Sequence, residues 1–356
     1  MSRLGVFAGA AAAAALATVV ALPAEAPAHA QRVVQCTQTA LRTAITQANT
    51  VPGPAVLFLA PGCTYTLTTA DNPGNGLPVV TSDITIVGSQ NTIRRQSTAL
   101  FRIFELEGTG ARLSLNNLTL RDGRSDSGGG GAIRSDGGAT LTLNAVEVTR
   151  NIADQSGVGG GIYNHNGTLT LRNSTVSYNI ATDDAGGISS NPSTNLSNTT
   201  VTGNTAKQIG GGLQALGSSL TIANSRITDN ASRLSGGGIA ASNLTGTITD
   251  TLIRGNTVAQ PGRVGGGILA SASTLTFERV TVFANRVPAE DGQGGGITGD
   301  SGSNFTIRNS SVTHNFAHKA PGGIFNNGST ITLVATPVEN NVPTNCSPSV
   351  VPSCTG

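Results

Sequence analysis

Residues 159–179 read Gly159-Gly160-Gly161-Ile162-Tyr163-Asn164-His165-Asn166-Gly167-Thr168-Leu169-Thr170-Leu171-Arg172-Asn173-Ser174-Thr175-Val176-Ser177-Tyr178-Asn179. Three short segments are visible: one opening at Ile162, a Thr-Leu-Thr-Leu stretch, and a Ser-Thr-Val-Ser stretch closed by Asn179. Each is too short for a helix, and apolar residues alternate with polar ones as they do in strands. The stretch recurs. A glycine-rich turn closed by Ile or Leu returns at Ile133, Ile162, Ile188, Leu213, Ile239, Ile268, Ile297 and Ile324, with spacings of 29, 26, 25, 26, 29, 29 and 27 residues. A second element, (Val/Ile)-x-x-Asn, keeps step with it at Asn151, Asn179, Asn204, Asn230, Asn256, Asn285, Asn315 and Asn341.

Two markers in step over eight units define a repeat architecture. Three short strands per unit describe one coil of a parallel β-helix, each strand pairing with its counterpart about 4.8 Å away in the next coil. Inward positions then stack like on like, giving an aliphatic core that needs few large aromatics. The composition agrees, with 47 Gly, one Met, three Tyr and no Trp. The expectation is an all-β, single-domain right-handed parallel β-helix (a solenoid) of about eleven coils. The asparagines read as corner residues that tolerate left-handed geometry and hydrogen-bond along the axis. The glycine runs suit close backbone approach. They are not nucleotide loops, because no phosphate-binding lysine and no strand–glycine–helix unit accompanies them.

Upstream the period continues in weaker form through Asp83–Gly88, Thr92-Ile93, Phe101–Phe104 and Leu113–Leu115, with Gly123 where a corner Asn would fall. Residues 37–49 read as an amphipathic helix with Ala40, Leu41, Ala44, Ile45 and Ala48 on one side. Laid over the first coil, it would cap an open strand edge. Before it, Arg3, an apolar run from Leu4 to Leu22, and Ala28-His29-Ala30 form an export-signal pattern. The predicted organisation is a signal peptide over 1–30, an N-terminal cap over 31–80, the β-helix over 81–341, and a tail over 342–356. Cys36 with Cys63, and Cys346 with Cys354, are two local pairs at opposite ends. In an exported chain they read as disulfides. A four-ligand metal site would need the two ends of the solenoid to meet.

Cys36-Thr37-Gln38-Thr39-Ala40-Leu41-Arg42-Thr43-Ala44-Ile45, followed by Ala48-Asn49 and Pro61-Gly62-Cys63-Thr64-Tyr65, resembles the CSLREA-type start of secreted bacterial β-helix proteins. The glycine and asparagine units are similar to repeats of chlamydial polymorphic outer-membrane proteins. This resemblance implies a pectin-lyase-like fold along nearly the whole chain after residue 30. It does not imply one activity, because that fold hosts lyases, hydrolases and adhesins.

Function is less legible. A net charge of +2 gives no electrostatic case for nucleic acid. No segment after residue 30 is apolar enough to span a bilayer, so the chain is expected to leave the membrane as a secreted protein; it is also expected to be a monomer. The loops between each corner Asn and the next glycine run should emerge along one edge. There Asp183, Asp184, Lys207 and Arg233 are the candidate residues for an acidic-polysaccharide lyase or hydrolase, one acting as base or two carboxylates acting as a pair. Against that reading, sugar-stacking aromatics are scarce and no histidine is paired with a nucleophile, with His165 expected in a turn. The expected function is therefore an adhesive, matrix or carbohydrate-interaction module at the cell surface or in the medium, with the enzyme as the alternative. A minor alternative is an ice-binding array of outward threonines, Thr140/Thr142, Thr168/Thr170, Thr247/Thr249, Thr274/Thr276 and Thr330/Thr332, interrupted at Asn195/Ser197 and Asn304. Calcium would suit the loop acids, but no loop has the spaced carboxylates of a dedicated site, so no cofactor is expected.

Overall fold

The computed structural model describes residues 32–126 and 128–356. The export signal expected over 1–30 lies outside them. Inward aliphatic positions at a fixed spacing wind the chain into an all-β parallel solenoid of about eleven turns, with one short helix near the N-terminus.

Each coil contributes to three long ladders. The first runs from Phe104–Glu107 through Ile133–Asp136 to Ile324–Asn327, and the repeated Ile/Leu positions stack in register along it. All eight are fully buried. The second runs from Arg32–Val34 through the Thr-Leu-Thr-Leu strands to Thr330–Val334. The third carries the valines that precede each corner, from Thr64–Leu67 to Val338–Glu339. A fourth ladder was not expected. It is an eight-stranded sheet of two-residue strands just past the asparagine corner, from Arg124–Ser125 to Phe316–Ala317. Two residues per coil are too few to leave a periodic signal in sequence.

The corner works differently from the expectation. Left-handed geometry falls on the residue before each Asn, as at Tyr178 (φ 54°), Gly203 (φ 65°) and Asp229 (φ 55°). The asparagines are buried and act through their amides. The Asn204 amide nitrogen donates to Val176 O at 2.9 Å and to Asn230 Oδ1 at 3.0 Å, and that oxygen also accepts from Asn204 N. The same pattern runs along the axis from Gly123 N, which donates to Asn151 Oδ1, to Asn345 Oδ1, which accepts from Asn341. Asn345 therefore ends the column. Gly212 packs against it, since a Cβ there would lie 2.7 Å from Gly238 O and 2.9 Å from the Asn230 amide.

The helix spans Gln38–Thr50, its N-terminus capped by the Thr37 hydroxyl accepting from Ala40 N at 3.1 Å. Leu41, Ile45 and Ala48 are buried against the end of the core, with Ala40 and Ala44 beside them. Disulfides Cys36–Cys63 and Cys346–Cys354 form as the sequence pairs them. At the far end Cys346 and Val351 plug the core. The caps cover the core but not every strand edge, for among the described residues no further strand pairs with Arg32–Val34 or Thr330–Val334. No helix among the described residues is long and apolar enough to cross a membrane.

Candidate carbohydrate face

Strand alternation in the first ladder buries Ile133, Ser135, Ile162 and Asn164 and turns Arg134, Asp136, Tyr163 and His165 outward. The register brings these outward residues together, since Glu105 pairs with Arg134, Glu107 with Asp136, and Arg134 with Tyr163. The result is a chain of alternating charges across three coils. Arg102, with a side chain only 4% exposed, donates to Asn75 Oδ1 at 2.8 Å and sits 3.2 Å from Glu105 Oε2. Arg134 lies 3.5 Å from Glu105 and donates to Asp136 Oδ2 at 2.8 Å. Asp136 Oδ1 is 3.0 Å from His165 Nδ1 and accepts from Gly137 N at 2.7 Å. The Asn166 amide nitrogen approaches the same imidazole nitrogen at 3.2 Å.

His165 lies within a strand rather than in the expected turn. The pairing register shifts between Asn164 and Gly167, and Asn166 takes φ 57°, so the strand bends where the imidazole emerges. The Tyr163 and His165 rings stack, with centroids 5.8 Å apart and planes within 6°. Both rings are partly exposed. Gly129, at φ 79°, packs against Tyr163, because a Cβ there would lie 3.2 Å from Tyr163 Cγ.

The electrostatics follow from partial burial among paired charges. Burial pushes the Asp136 carboxyl up, but hydrogen bonds from Arg134, His165 and the Gly137 N–H outweigh it and hold the group below its usual range. Burial lowers Arg102, partly offset by Glu105. Burial also tends to lower Arg134, but the Asp136 bond and the Glu105 charge leave it raised. Burial first, then the Asp136 charge, pushes the Tyr163 phenol up, so it stays protonated. An ionised Asp136 can only accept, so its bond to His165 is made by the form of the ring that carries a proton on Nδ1.

The loop-edge candidates do not form the cluster expected of them. The loops stack, but the register places Lys207 beyond Ala206, level with Thr182, while Asp184 is level with Ile209. Asp184 uses both oxygens within the protein, accepting from Ile209 N at 2.9 Å and from the Gln214 amide at 2.8 Å. Asp183 accepts from the Gln208 amide, and burial together with the Asp184 charge raises its pKa. Lys207 and Arg233 are exposed, and among the described residues neither has an ion-pair partner within 4.0 Å. These carboxylates staple adjacent coils, and each oxygen lent to a backbone or amide donor is withdrawn from a cation. The outward Thr columns form with one pair shifted, because Thr245 and Thr247, rather than Thr247 and Thr249, stand opposite Thr274 and Thr276, while Ser193 and Asn195 stand opposite Thr168 and Thr170. The interruption is therefore Ser193/Asn195 rather than Asn195/Ser197. No group of three or more metal-ligating side chains occurs among the described residues.

The residues the sequence reading missed are Arg102, Glu105, Arg134, Asp136, Tyr163 and His165. A signal for them exists. The position after each first-ladder Ile, Leu or Phe holds Ser189, Gln214, Ala240, Leu269 and Thr298 in later coils, where the early coils hold Glu105, Arg134 and Tyr163.

The profile of the family described as "Right handed beta helix region" matches residues 162–342, just over half of the chain. The chain belongs to that family. Among solved structures it is similar to the A-module of mannuronan C-5 epimerase AlgE6 of Azotobacter vinelandii, at 15% identity and a TM-score of 0.49, covering 88% of this chain and 94% of that one. The AlgE4 A-module of the same organism aligns at 14% identity and a TM-score of 0.47, covering 88% and 96%. The Dettilon tailspike protein aligns at 11% identity and 0.36, covering 87% and 66%. No curated protein sequence matches it.

Proposed function

We propose that this is an extracellular β-helix protein that binds polysaccharide on the first-ladder face around Tyr163 and His165. The observation that carries the reading is the stacked, partly exposed Tyr163–His165 ring pair, in which Asp136, itself held by Arg134, fixes the polar edge of His165. Flat ring surface with fixed donors and acceptors suits a sugar, and locking them beforehand lowers the entropy lost on binding. Two disulfides suit an oxidising compartment. The test is binding to a panel of plant, bacterial and algal polysaccharides by calorimetry. Tyr163→Ala and Asp136→Asn should each weaken the bound polymer by about tenfold, the loss of one good hydrogen bond or ring contact. Unchanged affinity in both variants, with the fold intact by circular dichroism, defeats the proposal.

A second reading has its own support in the His165–Asp136 pair. A neutral imidazole protonated on Nδ1, with Nε2 free as base beside a Tyr163 phenol held protonated, makes an acid–base couple. On a uronate polymer, His165 would take the proton on the carbon next to the carboxylate. The electron pair would form the double bond as the glycosidic C–O bond breaks, and Tyr163 would protonate the departing oxygen. The unsaturated end group would absorb in the ultraviolet. Its appearance with the wild type and absence with His165→Gln supports this reading, and absence with both excludes it for the polymers tried.

A further inference from the structure

Away from that face, two arginines on the third and fourth ladders are built differently from those in the charge chain. The Arg254 guanidinium lies 5.6 Å from the centroid of the Phe283 ring in the next coil, and Arg286 lies 5.6 Å from that of Phe316. The His314 ring joins them, its centroid 5.2 Å from Phe283. Register explains the contacts: Arg254 pairs with Phe283, and Arg286 pairs with Phe316. Phe283 and Arg286 flank Asn285, and His314 and Phe316 flank Asn315, so the five side chains share one corner of the solenoid. Arg254, Arg286 and His314 are exposed, and the two phenylalanines are half-buried.

These arginines are held without being neutralised. Neither has a carboxylate within 4.0 Å among the described residues, whereas Arg102, Arg134, Arg124 and Arg279 all do. A guanidinium on an aromatic face keeps its N–H edge free for a bidentate carboxylate or sulfate, and the ring restricts the rotamers it would otherwise lose on binding. Phe283 and Phe316, like Phe58 and Phe325, are only half-buried, whereas Phe101, Phe104, Phe277 and Phe305 are fully buried. Two ring-mounted cations on neighbouring coils, about 4.8 Å apart along the axis, match an extended chain with repeated negative charge. The bordering Thr281, Ser311 and Thr313 offer hydroxyls to sugar.

We infer that the Arg254–Phe283–Arg286–His314–Phe316 corner is a second glycan site that takes an acidic polysaccharide. It does not depend on the Tyr163–His165 face and is tested apart from it. Polygalacturonate and sulfated dextran are titrated into the full chain at several salt concentrations, with neutral dextran as control. In a Tyr163→Ala background, acidic polymer should still bind and neutral dextran should not. Arg254→Gln and Arg286→Gln should each weaken binding about tenfold and flatten its salt dependence. Phe316→Leu, which retains the charge and removes the mount, should cost less than Arg286→Gln. Variants that bind as tightly as the parent with native circular dichroism overturn the inference. So does acidic-polymer binding abolished by Tyr163→Ala alone, which would place all recognition on the first face, or no binding by the parent.

Discussion

At the scale of single residues, Asp136 is where packing and chemistry meet. It accepts from Arg134, from His165 and from the Gly137 N–H, and these bonds hold its pKa below the ordinary 3.8. A group that binds its proton more weakly when folded adds stability above its unfolded pKa and loses it as the pH falls through the folded value. Asp136→Asn should therefore be less stable than the parent near neutrality, and the gap should narrow at acid pH below the ordinary carboxylate range. Urea midpoints on both proteins across that window read it directly; a gap independent of pH would mean that the carboxylate charge is not what matters. Glu105, between Arg102 and Arg134, explains why two cations can sit so near each other, one of them almost fully buried.

At the scale of elements, the asparagine column is the part of the coil least able to absorb change. Asn204→Ala removes two donors and an acceptor from a buried site. It takes one donor from Val176 O and leaves Asn179 N and one N–H of the Asn179 amide, which donate to Asn204 Oδ1 at 2.9 and 3.0 Å, without their acceptor. Orphaned buried groups cost about 1–3 kcal/mol each, so a loss of about 3–5 kcal/mol in denaturant unfolding is expected. Asn204→Asp should fare no better, because the donating nitrogen becomes an acceptor. Much of this was legible in sequence, since Asn and Gly returning at a fixed beat require a corner that repeats with every coil. What escaped was which atom did the work: the left-handed residue is the variable one before the Asn, and only coordinates separate a backbone role from an amide role. The binding face escaped for a related reason. Arg134 and Tyr163 occupy outward positions that most other coils fill with small or neutral residues, so nothing repeats. The loop acids drew notice through their charge, yet Asp184 stacks on Ile209 rather than Lys207, and a two-residue offset in register is invisible without the sheet.

At the scale of the whole solenoid, each coil touches only its neighbours, so stability is local and fraying begins at the ends. The two ends are held unequally. At the N-terminal end a helix buries Leu41 and Ile45, Asn49 bonds to Val79 O and Thr81 N, and a disulfide closes 27 residues. At the other end the Cys346–Cys354 disulfide closes a separation of 8. It holds Cys346 and Val351 over the core, while the Thr330–Val334 strand keeps an unpaired edge and Val334 stays 46% exposed. Constraining so short a loop is worth about 2.5 kcal/mol in the chain-entropy account, and its larger effect is to keep the plug seated. Replacing Cys346 and Cys354 by Ser should open the last coils first. Amide exchange should quicken at Thr330–Val334, less at Asn304–Arg308, and not at all at Thr140–Thr149. Reducing Cys36–Cys63 should do less, because helix burial and the Asn49 bonds remain to hold that end. A uniform loss of protection from one end to the other would show that the coils unfold as a single cooperative body, and nearest-neighbour stacking would then be the wrong account of what holds the solenoid together.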